Sequence, residues 1–205
     1  MKKWLSLTLV IVMVLLTVAC GNGENPGEKA GISRGTIDGD VYTNEFLGFT
    51  FTKPASWVFS TDEEIAALVN LSVENILGDN FSEALKTNQV LYDMMVIDSV
   101  TRTNINIGYE NLAMSQSTNI TMEQYINAFK SQLENVSGMT VTFPETYDSV
   151  TLGDSEFTRI VCTTQTQGVS MTQVYYLQKV ESYMCTLIVT IPGGYTVEQI
   201  EAMFE

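Results

Sequence analysis

The 205-residue chain contains no histidine. That absence excludes Ser-His-Asp and Cys-His catalysis and any histidine-ligated zinc or haem. It also leaves no side chain that ordinarily titrates near neutral pH. Basic residues are scarce, with 10 Lys and Arg against 24 Asp and Glu, a formal charge of -14. Nucleic acid needs a basic footprint on its partner, so this balance argues against it. Long apolar runs are missing as well. A bilayer core takes about 20 apolar residues, and the stretch between Lys3 and Cys20 falls short of that.

What stands in that short stretch is a secretory signal. Lys2 and Lys3 form a positive start, Trp4 to Val18 an apolar run, and Ala19 a small residue directly before a cysteine. The order Leu15-Leu16-Thr17-Val18-Ala19-Cys20-Gly21 predicts a lipoprotein signal, although Thr17 stands where Leu is usual. Cleavage after Ala19 leaves Cys20 as the lipidated N-terminus. Gly21-Asn22-Gly23-Glu24-Asn25 follows, the wrong flank for a membrane span. Each buried CH₂ contributes about 0.8 kcal/mol, and two or more acyl chains hold stably where one does not. The predicted location is therefore the cell membrane, lipid-anchored on the extracytoplasmic side.

The expected organisation is a signal over 1–19, a lipidated cysteine and flexible tether over 20–38, and one domain over 39–205. The tether reading rests on Gly, Asn, Glu and Pro without periodicity. Loss of Lys2 and Lys3 on cleavage leaves 24 acidic residues against 8 basic, a net charge of -16. Its plain meaning is solubility outside the cell.

Two cysteines remain beyond Cys20. Gln167-Gly168 and Glu181-Ser182 read as hairpin turns, which place Cys162 opposite Gln173 and Cys185 opposite Gln178. The cysteines then lie on strands separated by a third, roughly 10 Å apart at about 4.8 Å per strand. Gln173 and Gln178 differ in parity, so the thiols point to opposite faces. A disulfide reaches neither way, and both thiols are expected to be buried and free.

Strands are predicted at 41–43, 49–52, 57–59, 91–98, 105–112, 139–143, 147–152, 156–166, 171–180 and 183–191, with 49–52 alternating and 91–98 apolar enough to be covered on both faces. Thr61-Asp62-Glu63-Glu64 has capping-box spacing and opens a predicted helix carrying Ile65, Leu68, Val69, Val73 and Ile76, ended by Gly78. Phe81 to Leu85 adds a helical turn. Thr121-Met122-Glu123-Gln124 and Thr196-Val197-Glu198-Gln199 open two further helices, the first through about Glu134.

The pattern Tyr42-x-Asn44…Gly48-Phe49-x-Phe51-x-x-Pro54-x-x-Trp57 resembles the opening signature of the PsbP-like family. The resemblance runs from about Val41 to Glu205, and in particular to single-domain lipoproteins of bacterial cell envelopes. It implies an α+β fold, an α/β/α sandwich whose central, mostly antiparallel sheet is covered by helices on both faces. Relatives in photosynthetic membranes are extrinsic subunits that help a photosystem bind its ions. Nothing in this sequence marks such a context, and fold does not carry function. No catalytic motif transfers.

Few constellations point to chemistry. Glu145, Asp148, Asp154 and Glu156 could hold a hard cation or sit on a solvated hairpin. Asp38-Gly39-Asp40 opens like a calcium loop but lacks the later ligands. Asp93 and Asp98 have odd spacing, which places them on opposite faces, solvated or paired with Arg102 or Lys86. Tyr175, Tyr176 and Tyr183 cluster around one hairpin, where a recognition patch and a core are both consistent with tyrosine. No catalytic residue, metal site or cofactor is predicted. The expectation is a non-enzymatic, membrane-anchored binding or accessory module with an envelope protein as partner. The alternative is a lipoprotein that binds a small molecule or metal ion near the acidic hairpin.

Overall fold

The computed structural model describes residues 32–78 and 80–205. The signal, Cys20 and most of the expected tether lie outside the described residues. The chain then runs through β1 (Thr36–Asp38), β2 (Val41–Asn44), β3 (Phe49–Thr52), β4 (Trp57–Phe59), α1 (Asp62–Leu68) and α2 (Asn80–Thr87). It continues through β5 (Val90–Asp98), β6 (Asn104–Asn111), α3 (Met122–Glu134), β7 (Met139–Thr142), β8 (Asp148–Leu152), β9 (Ser155–Thr166), β10 (Val169–Val180), β11 (Tyr183–Ile191) and α4 (Val197–Glu201).

The strands form two antiparallel sheets. β1-β2-β3 is one. The other has eight strands in the order β4-β5-β6-β11-β10-β9-β7, with β8 also paired to β9. The small sheet lies against one face of the large one, and their side chains share a core. Tyr42, Phe49 and Phe51 meet Ile105, Tyr109, Leu187 and Val189 there, with α1, α2 and α4 adding Ile65, Phe81 and Ile200. The C-terminus closes this core. Thr50 and Glu205 exchange backbone hydrogen bonds at 2.8 Å each, and the Phe204 ring sits 5.0 Å from that of Phe51. On the opposite face, α3 sets Tyr125, Ile126, Phe129 and Leu133 against Ile160, Cys162, Tyr175 and Ile188.

This is not the α/β/α sandwich that the resemblance implies. Strand accounts for 43% of the described residues and helix for 21%. The reasons are local. The helix expected over the whole of 61–78 stops at Leu68, because Asn70 takes a left-handed φ of 56° and only a 3₁₀ turn at Val73–Asn75 follows. The N-terminal strands, joined by the earlier strand β1, take up much of the surface that a helical layer would cover. Among the helices of the described residues only α3 exceeds eight residues.

The capping boxes at Thr61, Thr121 and Thr196 all form, each with reciprocal side-chain bonds to the residue three positions on. The resembling motif has a packing role at each aromatic. Phe49 and Phe51 fill the shared core, and Trp57 donates its indole N–H to Tyr195 at 3.0 Å. The cysteine registers also form as the turns dictate, with Cys162 opposite Gln173 and Cys185 opposite Gln178. Both thiols are buried and free, in different cores.

Candidate functional site

The most unusual chemistry in the fold surrounds Asp93. β5 and β6 pair regularly except at a bulge between Tyr92 and Met94, which leaves Asp93 without a cross-strand partner. The extra residue turns its carboxylate into the core, where it is 1% exposed. Tyr42 and Asn44, both on β2, donate to Oδ2 at 2.8 Å each, and Tyr109 on β6 donates at 3.3 Å. The Gly35 N–H reaches both carboxylate oxygens, at 3.0 and 3.1 Å. Arg34 lies alongside, its Nε 3.7 Å from Oδ1. The same guanidinium donates twice to the Asp93 carbonyl at 3.1 Å and pairs with Asp62 at 2.6 Å.

Each partner is held in its turn. Asn44 also donates to the hydroxyls of Tyr42 and Tyr109 and accepts from the Leu47 N–H at 2.7 Å. Gly35 is required for close approach, because a Cβ there would run into the Tyr42 ring. Burial pushes Asp93 up to about 6, against the hydrogen bonds and Arg34, which favour the charged form. Burial also raises Tyr42 and Tyr109 well above the ordinary phenol range. With its oxygens saturated by donors and closed off from water, Asp93 acts as a clasp for the incoming N-terminal segment. The stretch expected as tether therefore joins the domain before residue 39, since Ile32 is buried, Arg34 and Gly35 grip Asp93, and β1 pairs with β2.

A second buried carboxylate, Glu110 on β6, accepts from Tyr125 of α3 at 2.7 Å. Burial raises its pKa, while Tyr125 and Gln89 pull it down. Asp98 is also buried and tied to its own turn, accepting from the Val100 and Thr101 N–H groups and from the Thr101 hydroxyl at 2.6 Å. Burial opposes its ionisation, but these bonds win and hold its pKa below the ordinary range. The expectation that Asp93 and Asp98 are solvated or paired with Arg102 or Lys86 is thus corrected. Both are buried, and the cation at Asp93 is Arg34.

The acidic hairpin does not converge. Asp148 is taken by Arg159, whose Nε donates at 3.0 Å, and Arg159 also reaches Glu201 at 2.7 Å. Glu145, Asp154 and Glu156 are exposed. Among the described residues no group of three or more Asp, Glu, Cys or His is placed to hold a metal ion. Lys53 claims Asp40 of the Asp38-Gly39-Asp40 turn.

The tyrosines of the β10–β11 hairpin divide between the two cores. Tyr175 is buried under Phe129 with ring centroids 4.7 Å apart, and Tyr176 is buried on the other face, donating to Glu201 at 2.9 Å. Tyr183 is half-buried. They do not share one exposed surface.

An open cleft of about 350 Å³ lies at the far corner of the large sheet, where the β9–β10 turn meets the start of β7. Gly138, Thr140, Gln165, Gln167, Val169 and Ser170 line it, all of them uncharged. Sequence reasoning passed over this corner, though a signal was present. No charged residue occurs from Ile160 to Gln178, or from Asn135 to Pro144, in a strongly acidic chain.

No protein-family model and no curated protein matches the chain. A solved structure from Bacteroides thetaiotaomicron, determined at 1.50 Å resolution, is similar over 85% of this chain, with 13% identity and a TM-score of 0.41. This chain spans about half of that one's length, 48%. A likeness that distant bears on neither family nor activity.

Proposed function

We propose that the protein is a non-enzymatic lipoprotein, anchored through Cys20 to the extracytoplasmic side of a cell membrane, where it serves as a binding or accessory module. The observation that carries this reading is the junction Ala19-Cys20 at the end of a short apolar run led by Lys2 and Lys3. Covalent geometry supports a membrane-proximal role. From Cys20 to the buried Ile32 the chain spans at most about 40 Å, so the domain works close to the bilayer. Asp93, raised by burial, has both carboxylate oxygens committed to internal hydrogen bonds, which fits a structural rather than an acid–base use.

Mild cross-linking of the full-length protein in its own membranes, followed by purification, tests the reading. A stoichiometric protein partner is the expected product. A chain recovered alone that is stabilised against heat by a small molecule or metal ion contradicts it in favour of ligand binding.

A further inference from the structure

The two oxygens of Asp93 are held by different parts of the chain. Oδ2 takes the side chains of the domain body, Tyr42 and Asn44 at 2.8 Å and Tyr109 at 3.3 Å. Among the described residues, Oδ1 is reached only by the N-terminal segment, through the Gly35 N–H at 3.0 Å and Arg34 Nε at 3.7 Å. The Gly35 N–H is shared with Oδ2 at 3.1 Å. Arg34 adds its bonds to the Asp93 carbonyl, a long one to the Ile76 carbonyl at 3.5 Å, and the pair with Asp62. Lifting this segment opens Oδ1 to water and leaves Oδ2 with its three donors from the body. The charge is uncovered, not stranded in an apolar gap.

The segment is otherwise lightly held. From Ile32 to Asp38 the one buried apolar side chain is Ile32, Ser33 and all of β1 are exposed, and Arg34 and Gly35 are half-buried. β1 pairs on one side only, with β2, at the edge of the small sheet. Beyond it stands Gly39, at a φ of 59° and with open space where a side chain would be, a ready hinge. Segments with few buried apolar contacts and exposed backbone bonds open at lower free energy than a core. β6 and β11, buried along most of their length, are of the other kind.

We propose that residues 32–38 form a strap that opens and closes as a unit on the folded domain, turning about Gly39 and carrying Arg34 and Gly35 off Asp93. Opening frees these residues for the tether, about 25 Å more reach at full extension. That gain in reach rests on the anchor at Cys20, whereas the opening itself does not.

Protonation favours the closed strap. The charged and titratable groups around Asp93 are Arg34 and, behind it, Asp62 of α1, with Tyr42 of β2, Tyr109 of β6 and Cys185 of β11. Burial outweighs Arg34 and the donors and raises the closed Asp93 to about 6. In the open state water reaches Oδ1 and removes much of that burial, so the carboxyl returns toward its ordinary 3.8. The closed state binds the proton more tightly, and closure weakens as pH rises through about 6. The gap between those values corresponds to about 100-fold in the closing equilibrium.

Amide hydrogen exchange on the full-length protein in detergent micelles tests this, with intact mass reading Cys20 separately so that a failed anchor and a failed strap are told apart. Rates are corrected for intrinsic exchange and compared between the strap and β10–β11. The strap amides are expected to exchange at least tenfold faster than the core, and their protection to fall about tenfold from pH 5 to 7.5. Asp93→Asn should abolish that fall. Gly35→Ala drives a Cβ into the Tyr42 ring, and Arg34→Gln removes the ion pairs without adding bulk. Each should strip protection from the strap and leave β10–β11 protected. Strap amides as slow as the core overturn the proposal, as do variants in which strap and core lose protection by the same factor. Strap protection that is independent of pH in the wild type overturns the coupling to Asp93.

Discussion

The Gly35 N–H lies 3.0 and 3.1 Å from the two oxygens of Asp93, a residue 58 positions later in the chain. This contact fastens the segment leading from the N-terminus onto a carboxylate in the core. Because the neighbouring Arg34 grips the same residue through both its carboxylate and its carbonyl, the clasp joins the start of the domain to the bulge of β5.

Asp93→Ala removes the acceptor shared by Gly35, Tyr42, Asn44 and Tyr109 and leaves Arg34 facing an apolar gap. Breaking one side of such a buried ionic cluster costs about 3–5 kcal/mol. Urea denaturation should show a loss of that order for Asp93→Ala and a smaller one for Asp93→Asn, which keeps the shape and one acceptor. Equal midpoints for wild type and Asp93→Ala would contradict the clasp.

The same residue sets a pH dependence. Burial raises the folded pKa of Asp93 from 3.8 to about 6. Between those values the folded state binds the proton more tightly than the unfolded chain. Its contribution to stability is therefore fully present below 3.8 and is lost as pH rises through about 6. A shift of two units corresponds to about 3 kcal/mol. Asp98 and Asp148, whose folded pKa values are lowered, act in the opposite sense at more acidic pH. Glu110 has the same sign as Asp93, so the comparison of wild type with Asp93→Asn from pH 4 to 7 isolates Asp93. The wild-type midpoint should fall more steeply with rising pH than that of the variant, and parallel curves would count against this account.

The two remaining thiols sit in separate cores, and burial pushes Cys162 up to about 11 and Cys185 higher still. Neither should react with a thiol reagent in the native state, and both should react once the protein is unfolded in denaturant. Fast labelling of Cys162 or Cys185 before unfolding would show that one of the cores is open.

Gly153 has a φ of 57°, and a Cβ there would lie 2.5 Å from the Gly48 carbonyl oxygen and 2.8 Å from that of Glu205. Gly168 also has positive φ, at 81°, but meets open space. Gly153→Ala should therefore cost several kcal/mol, and Gly168→Ala only about 1 kcal/mol from backbone conformation alone. Similar losses at both sites would mean that the C-terminus is not packed against the Gly48–Gly153 turn pair.

The meander from Ser155 to Ile191 was legible because its turns announce themselves. Gln167, Gly168 and Glu181 all take positive φ, and once those turns are placed every cross-strand partner follows by counting. The three capping boxes were legible for the same reason, since their spacing is local. The Asp93 centre was not. Alternation alone cannot reveal a bulge that reverses the direction of one side chain, and Arg34 stands in a stretch whose composition reads as linker. One signal was present: an acid inside the apolar run Leu91 to Asp98 demands a partner, and the chain has few cations to offer. The fold class failed on a local point that apolar spacing does not report, because nothing in the pattern of 61–78 states that Asn70 will take a positive φ and interrupt the helix.

The central claim is the lipid on Cys20, and intact-mass measurement of the protein extracted from its own membranes tests it most directly. The account predicts a chain beginning at Cys20 that carries a diacylglyceryl group, with or without a further acyl chain, and a Cys20→Ala variant that loses this modification. A chain that retains Lys2 and Lys3, or one cleaved elsewhere with Cys20 unmodified, would contradict it.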